Sequence, residues 1–313
     1  MKAVLFFEYG APGVLKISEI DLPEILDDEL LIKVSCAAVN PKDCFIRKGK
    51  FKLFTGRKFP QTIGNDFAGE VVRTGKSVKN FQVGDRVYGM LNGWCSGAYA
   101  EFVAAKSTEI AHQPKLLSVE EAAATPLAAL TALQALRDLG KIKPGSRICI
   151  NGASGGVGTF AIQIARAFGG VVTAICSFRN IEFCKQLGAD HTIDYTKTDI
   201  VDTGNQFDIF FDVFGNYSFS KVRKRLTPKG VYISTIPNIR NFFDHYRTKF
   251  SFGKTARVVI VNANSEDLNI LAELIDTGKV KPVIDKVYPL EKAAEAHEYI
   301  QTKRARGKVL LAV

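Results

Sequence analysis

An α/β protein, with a doubly wound parallel sheet joined to a second, β-rich domain, is the fold class this sequence predicts. Three observations carry that reading. From Arg147 onward, apolar strand-like runs alternate with helix-like ones, the rhythm of successive βαβ units. Before about residue 120, short β-branched runs are broken by Gly, Pro and Asp, the rhythm of a compact β-rich domain. The chain's 313 residues also exceed what one hydrophobic core usually organises, so two domains are expected.

Taken in order, the first domain's strands are expected at Ala3–Phe7, Leu30–Val34, Phe67–Val72, Arg86–Met90 and Tyr99–Val103. Turns at Thr74-Gly75 and Val83-Gly84-Asp85 separate them. Ser118 caps a helix that has Glu120 and Glu121 in its first turn, where they complement the helix dipole. That helix runs to Leu139 and breaks or kinks at Pro126. Strand RICIN, helix TFAIQIARAFG, strand VVTAIC, helix RNIEFCKQLG and strand HTIDY follow. Further strands fit Phe207–Val213, Gly230–Thr235 and Arg257–Val261, and Ser265–Val313 holds two helices and two short strands.

Composition excludes several classes. No run of about 18 apolar residues occurs, so no membrane-spanning helix is expected. The opening MKAVLFFEYGAPG has too short an apolar stretch for a signal peptide and alternates like a strand. The six cysteines (36, 44, 95, 149, 176, 184) show no CxxC and no disulfide-like spacing, the pattern of reduced thiols in a cytoplasmic protein. A net charge of +10 leaves an anionic cofactor, a nucleic acid or an anionic membrane surface open as partners.

The most informative stretch is Ile150-Asn151-Gly152-Ala153-Ser154-Gly155-Gly156-Val157-Gly158. It follows an apolar strand and opens a helix, so its backbone can approach a pyrophosphate lying at the positive helix end. NAD sites usually place a carboxylate about 20 residues beyond the glycines, on the ribose 2′-hydroxyl. No acidic residue occurs from Gly152 through Ile181; Cys176-Ser177-Phe178-Arg179-Asn180 stands there instead. Ser177 and Arg179 suit a 2′-phosphate, which favours NADPH, although Arg179 at a helix start also fits simple capping.

Other segments join this turn: Ala38–Asp43, Ile63–Val71, Phe81–Val87, Thr125–Ala132, Leu187–Asp190 leading into Ile193–Tyr195, and Arg306–Val309. Through them nearly the whole chain resembles the medium-chain dehydrogenase/reductase superfamily, specifically its zinc-free quinone oxidoreductase and enal/enone reductase branch. The resemblance implies a GroES-like catalytic domain (1–122 and 264–313), a Rossmann domain inserted in it (123–263), and an active cleft between them. It implies homodimers joined through the Rossmann sheet, with Val258–Val261 as the edge strand. It carries Ser154, Gly155, Gly156, Val157 and Gly158 to the pyrophosphate, and Ser177, Arg179 and Tyr195 to the 2′-phosphate. Tyr195 equally suits packing on a neighbouring helix.

Zinc-dependent members have Cys where this chain has Asn40, and His where it has Asn65. Asparagine is a poor zinc ligand, so no metal is expected. The four histidines (112, 191, 245, 297) fall outside every landmark. Without a Lewis acid, a simple ketone is a hard acceptor, whereas a quinone, enone or enal spreads the incoming charge over a conjugated oxygen. Asn40 is the expected donor to that oxygen; Thr131 resembles the family residue that holds the nicotinamide carboxamide; and Asp43 fits fixing the Asn40 loop better than acting as an acid. Cys44 stands where an aromatic is expected, which suggests a wider pocket. Arg47–Lys58 carries six basic residues among Phe51 and Phe54, suiting an anionic substrate or a solvated loop. In Arg240–Lys254, Phe242, Tyr246 and Phe250 share one helical face, as a buried lid, a dimer contact or a peripheral membrane foot. The competing class is a dinucleotide-binding protein with a structural or nucleic-acid-binding role, for which no recognised motif speaks.

Overall fold

The structure, a computed structural model, describes residues 1–313 and divides into two compact units. One comprises Met1–Leu127, Asn262–Thr277 and Pro282–Val313; the other comprises Ala128–Val261 and Gly278–Lys281. These divisions fall within a few residues of the sequence-expected ones, except that Gly278–Lys281 goes with the second unit. The reason is local: the Gln163 side chain donates to Lys281 O (2.9 Å) and accepts from Lys281 N (2.8 Å).

In the first unit, β1 (Lys2–Phe6), β2 (Leu15–Glu19) and β3 (Glu29–Val39) precede α1 (Pro41–Arg47), α2 (Lys52–Thr55) and β4 (Gln61–Thr62). Then come β5 (Asp66–Thr74), β6 (Arg86–Met90), β7 (Phe102–Lys106), β8 (Ile110–His112) and α3 (Val119–Ala123). The seventh strand starts three residues later than expected (102, not 99), because Tyr99 turns inward and Ala100 makes only an isolated bridge to Ala3. Ser118 does cap α3: its hydroxyl accepts from Glu121 N, and Glu121 Oε2 accepts from Ser118 N, a reciprocal box. Pro126 does not kink one long helix. It opens a separate one, α4 (Pro126–Leu133), which widens to π geometry over Gln134–Leu139.

The second unit continues with β9 (Arg147–Asn151), α5 (Gly156–Ala167), β10 (Val171–Cys176), α6 (Ile181–Gln186), β11 (His191–Asp194) and β12 (Phe207–Asp212). It ends with α7 (Phe219–Val222), β13 (Leu226–Ser234), α8 (Ile239–Arg247) and β14 (Thr255–Val258). All six strands run parallel in the order β11-β10-β9-β12-β13-β14. The order reverses direction between β9 and β12, the point where open parallel sheets bind ligands. The last strand begins and ends earlier than expected, and only β13 pairs with it, so its other edge is open.

The chain then returns to the first unit with α9 (Ser265–Asp276), β15 (Ile284–Pro289), α10 (Ala293–Gln301) and β16 (Lys308–Ala312). There β16 joins the sheet ordered β15-β16-β3-β5-β6-β8, with β7 pairing β3; β2-β1-β4 forms a separate small sheet. Val309 and Leu311 reach one core cluster with Val4, Phe6, Ile46 and Tyr99. The long antiparallel pairing of β16 on β3 sets Val309 opposite Val39. That register puts Lys308, the residue before it, next to the end of β3, where α1 begins.

Candidate active site

In the second unit, the turn after β9 is shaped for a phosphate. Gly152 has φ +82°, a conformation that glycine adopts without strain. A Cβ on Gly158 would lie 2.2 Å from Gly152 O, so helix and turn touch only because that carbon is missing. Gly155 is the N-cap of α5 and has no side chain to satisfy the first amides, which remain available to an anion at the positive helix end. Asn151, at the end of β9, fixes the switch point by donating to Asp212 Oδ1 and Asn216 Oδ1, each at 2.7 Å.

Ser154 accepts from Asn180 Nδ2 (2.9 Å), which ties the glycine turn to the loop after β10. Asn180 Oδ1 is buried without a partner, an acceptor left waiting for a donor such as a ribose hydroxyl. Ser177 is half-buried, Arg179 is exposed, and Tyr195 is 58% exposed, so Tyr195 is not packed away under a helix. Asp194, for which the sequence suggested no role, turns its carboxylate onto Thr196 N and Oγ1 and so shapes the Tyr195 turn. Lys197 adds a cation over the Phe178 ring at 5.4 Å. Glycine turn, uncapped helix, orphan acceptor and basic rim together fit a phosphorylated dinucleotide. Thr131 lies buried on α4.

In the first unit, a buried polar cluster forms around Asn40. Lys308 Nζ donates to Asn40 Oδ1 (2.6 Å) and to Asp66 Oδ2 (3.1 Å). Asn40 Nδ2 donates to Asp66 Oδ2 (3.0 Å) and to Ala38 O (3.3 Å). An ammonium only donates, so the amide atom facing Lys308 must be oxygen and the orientation of Asn40 is settled. Both amide hydrogens are thereby taken. The expectation that Asn40 donates to a substrate oxygen thus meets a side chain whose hydrogens are already placed. Asp66 Oδ1 accepts from Leu127 N (2.9 Å), holding the first turn of α4. Asp43 Oδ2 accepts from Asn40 N and Tyr99 OH, both at 2.8 Å, and so anchors the Asn40 loop. Burial pushes the Asp43 carboxyl up to about 6, against the downward pull of the Tyr99 and Asn40 hydrogen bonds.

These residues do not fit a divalent metal. Asn65, at the second position where zinc-dependent members carry a ligand, spends its amide nitrogen on Leu91 O, Gly93 O and Ser96 Oγ. Beside Asn40, where a cation would have to sit, the Lys308 ammonium already neutralises Asp66, and both side chains are nearly inaccessible. No group of three His, Cys, Asp or Glu side chains converges anywhere in the chain. Of the histidines, His297 is fully buried: burial, with the charges of Arg47 and Lys48, pulls it down to about 3. Neither Asp66 nor Lys308 was picked out from the sequence. The signal was a charged residue opening the otherwise apolar strand KVLLA.

Beside this cluster lies an aromatic and basic surface. Trp94 stacks on Phe54 (5.1 Å, 15° between planes) and meets Phe51 at 4.8 Å; Phe51 meets Phe45 edge-on. Lys42 Nζ lies 5.4 Å from the Trp94 ring and donates to Gly93 O (3.2 Å). Burial lowers the Lys42 pKa, while Asp43 and Asp66 raise it. Cys44 does not open a pocket here. Its sulfur points inward to His297 Nδ1 (3.5 Å), burial pushes its thiol up to about 12, and Phe45 is the residue turned to the surface. Arg47 also leaves the basic loop and is buried against His297, Gly10 O and Gln301.

Of the three readings of helix α8, the buried lid does not hold. Its buried residues are polar, Asn241 and Asp244, with Thr248 following, while Phe243, Tyr246 and Phe250 face solvent and Phe242 is half-buried. The buried side is anchored by hydrogen bonds: Thr248 Oγ1 donates to Asp244 O (2.8 Å) and accepts from Ala256 N (2.8 Å), and Asn241 Nδ2 donates to Ile236 O (2.9 Å).

A phosphate-shaped turn at a parallel-sheet crossover, in a chain that also carries a separate sheet-rich unit with a buried polar loop, defines a dinucleotide-dependent dehydrogenase or reductase. The chain belongs to the medium-chain dehydrogenase/reductase superfamily: residues 26–115 match the alcohol dehydrogenase GroES-like domain and residues 187–311 the zinc-binding dehydrogenase model. The second match begins beyond both Asn40 and Asn65. The chain is 34% identical to the chloroplast envelope quinone oxidoreductase homolog of Arabidopsis thaliana, over 99% of its own length and 98% of that protein. It is 35% identical to an NADPH-dependent alkenal/one oxidoreductase of the same plant, over 99% of its own length and 79% of that protein. Among solved structures, the quinone oxidoreductase of Coxiella burnetii superposes with a TM-score of 0.91 at 34% identity, covering 100% of this chain and 99% of that one.

Proposed function

We propose that this chain is a zinc-independent oxidoreductase that passes hydride from NADPH to a quinone or an α,β-unsaturated carbonyl. The observation that carries the reading is the buried ammonium of Lys308 among Asn40 and Asp66. A fixed cation, already paired, cannot polarise a substrate oxygen as a metal does, so the acceptor must supply its own sink for charge. Conjugated carbonyls and quinones do. The names borne by the chain's relatives agree with this acceptor class and with NADPH.

When bound, the nicotinamide supplies the hydride. The chain's own residues then have separate tasks. The first amides of α5 and the Ser154 hydroxyl bind pyrophosphate; Ser177, Arg179 and Tyr195 receive the 2′-phosphate, and Thr131 the carboxamide. In the first unit, Lys308, Asp66 and Asp43 position the Asn40 loop. The Trp94 ring, stacked within 15° of Phe54, suits a planar acceptor, and Lys42 is the cation beside it, placed to stabilise a developing oxyanion or to give it a proton. The open edge of β14 supports a homodimer joined sheet to sheet, and six free thiols suit the cytoplasm.

The test is direct. Reduced cofactor absorbance is followed with a panel of naphthoquinones, enones, enals and a simple ketone. Consumption of NADPH with the first three and not the ketone is expected; binding of NADPH with no turnover on any of them defeats the reading.

A further inference from the structure

The outward face of α8 has no partner within the chain. Ile239 is 90% exposed, Phe250 85% and Phe252 fully exposed, and Phe243 and Tyr246 also stand in solvent. These side chains are held out because the opposite side of the helix is bonded to the sheet, Asn241 Nδ2 donating to Ser234 Oγ (3.1 Å) and Thr248 Oγ1 accepting from Ala256 N (2.8 Å). Rotating the helix to hide its aromatics would break those bonds.

The sequence that forms this face is strongly basic. Between Ser218 and Lys254 stand nine basic residues, Lys221, Arg223, Lys224, Arg225, Lys229, Arg240, Arg247, Lys249 and Lys254, against one acidic residue, Asp244. Asp244 is buried and paired with Arg247 at 3.0 Å. The sequence-distant basic residues are joined in space: Lys254 Nζ donates to Arg223 O (2.9 Å), and Arg240 Nη2 to Ser220 Oγ (2.7 Å). Asp199 pairs with Lys221 at 2.8 Å on the far side of this rim, which leaves Arg240, Lys249 and Lys254 as the cations beside the aromatics. An apolar ridge flanked by such cations is complementary to an anionic lipid surface, where rings enter the acyl boundary and cations meet headgroups. A second copy of the chain fits less well, since a two-fold contact would bring the same basic rim against itself.

We propose that Ile239–Lys254 is a peripheral docking face for an anionic bilayer. No helix in the chain is long and apolar enough to cross a membrane, so attachment is reversible and salt-sensitive. The inference is independent of the reductase reading, because it concerns binding and not turnover.

The full chain is sedimented with vesicles of phosphatidylcholine alone, or of phosphatidylcholine with phosphatidylglycerol, at low and high salt. Binding at least tenfold stronger to the anionic vesicles, weakened by salt, is expected. The double variants Phe250→Ser with Phe252→Ser, and Arg240→Glu with Lys249→Glu, should each lower it at least tenfold. They should leave NADPH oxidation with a water-soluble quinone unchanged, which shows that they fold. Equal binding to neutral vesicles, or no binding, overturns the proposal. So does a fall in molecular mass in either variant, which makes the face a contact between copies. Tighter binding to a DNA or RNA oligonucleotide than to vesicles assigns the face to nucleic acid and likewise overturns it.

Discussion

Arg179 stands in the short turn Phe178–Asn180, exposed, at the end of β10 and on the loop that Asn180 ties to the glycine turn. A guanidinium there can meet a 2′-phosphate, which NADPH carries and NADH does not. Arg179→Ala should therefore raise the KM for NADPH by roughly 10- to 100-fold, the worth of a charge-assisted hydrogen bond, while that for NADH hardly moves. Equal losses would remove Arg179 from the phosphate site. Lys42→Ala should lower kcat with quinone by about tenfold or more with NADPH affinity kept, and Lys42→Arg should recover part of it. A kcat unchanged in Lys42→Ala would leave the acceptor without this cation. Asp43 makes a prediction about pH. Its folded carboxyl titrates at about 6 instead of 3.8, because burial disfavours the charge. A raised pKa contributes stability that is complete below pH about 4 and is lost as pH rises through about 6. Relative to Asp43→Asn, which does not titrate, the wild type should lose on the order of 2–3 kcal/mol across that window. Thermal unfolding of both proteins at several pH values reads it; parallel curves would mean that the Asp43 carboxyl titrates alike in the folded and unfolded chain.

At the scale of elements, Lys308 of strand β16 meets strand β5 through an ion pair and the loop after β3 through a hydrogen bond to Asn40. Lys308→Met strips a buried carboxylate of its cation and should destabilise the first unit by roughly 3–5 kcal/mol. Adding Asp66→Asn should restore much of that loss, because the uncompensated charge is then gone. Additive losses in denaturant unfolding would show that the two groups do not sense each other. This pair also marks where sequence reading stopped. The Ser118 cap, the glycine turn and the strand-helix alternation are local patterns, and each appears in the structure close to where its residues suggest. Asp66 and Lys308 lie 242 residues apart, and no local spacing links them. Helix α8 stayed open among three readings for another reason. Periodicity tells which side chains share a face, but not which face turns inward. Here hydrogen bonds from Asn241 and Thr248 outweighed the pull of three aromatic rings. Cys44 was misplaced by its neighbour: a turn of α1 sends the thiol to His297 and leaves Phe45 outside.

For the whole molecule, the absence of a plausible metal cage gives a plain expectation. Chelators such as EDTA should leave both the melting temperature and quinone turnover unchanged, and elemental analysis should find no stoichiometric zinc; one zinc per chain would overturn the mechanism. NADPH at 100 times its Kd should stabilise the unit that binds it by about 2.7 kcal/mol. Hydrogen exchange should slow over Gly152–Val157 and Ser177–Asn180. Uniform slowing without a focus on those segments would place the coenzyme elsewhere.

The long reach from Asn40 to Lys308, 268 residues, has a bearing on birth as well as on chemistry. During synthesis the parallel-sheet unit, almost continuous from Ala128 to Val261, is able to condense as soon as it leaves the ribosome. The earlier-made sheet must wait with a carboxylate and an amide uncovered until the closing strand arrives with their ammonium. A chain truncated after residue 290 should thus hold a protease-resistant second unit beside a first unit that is still cut.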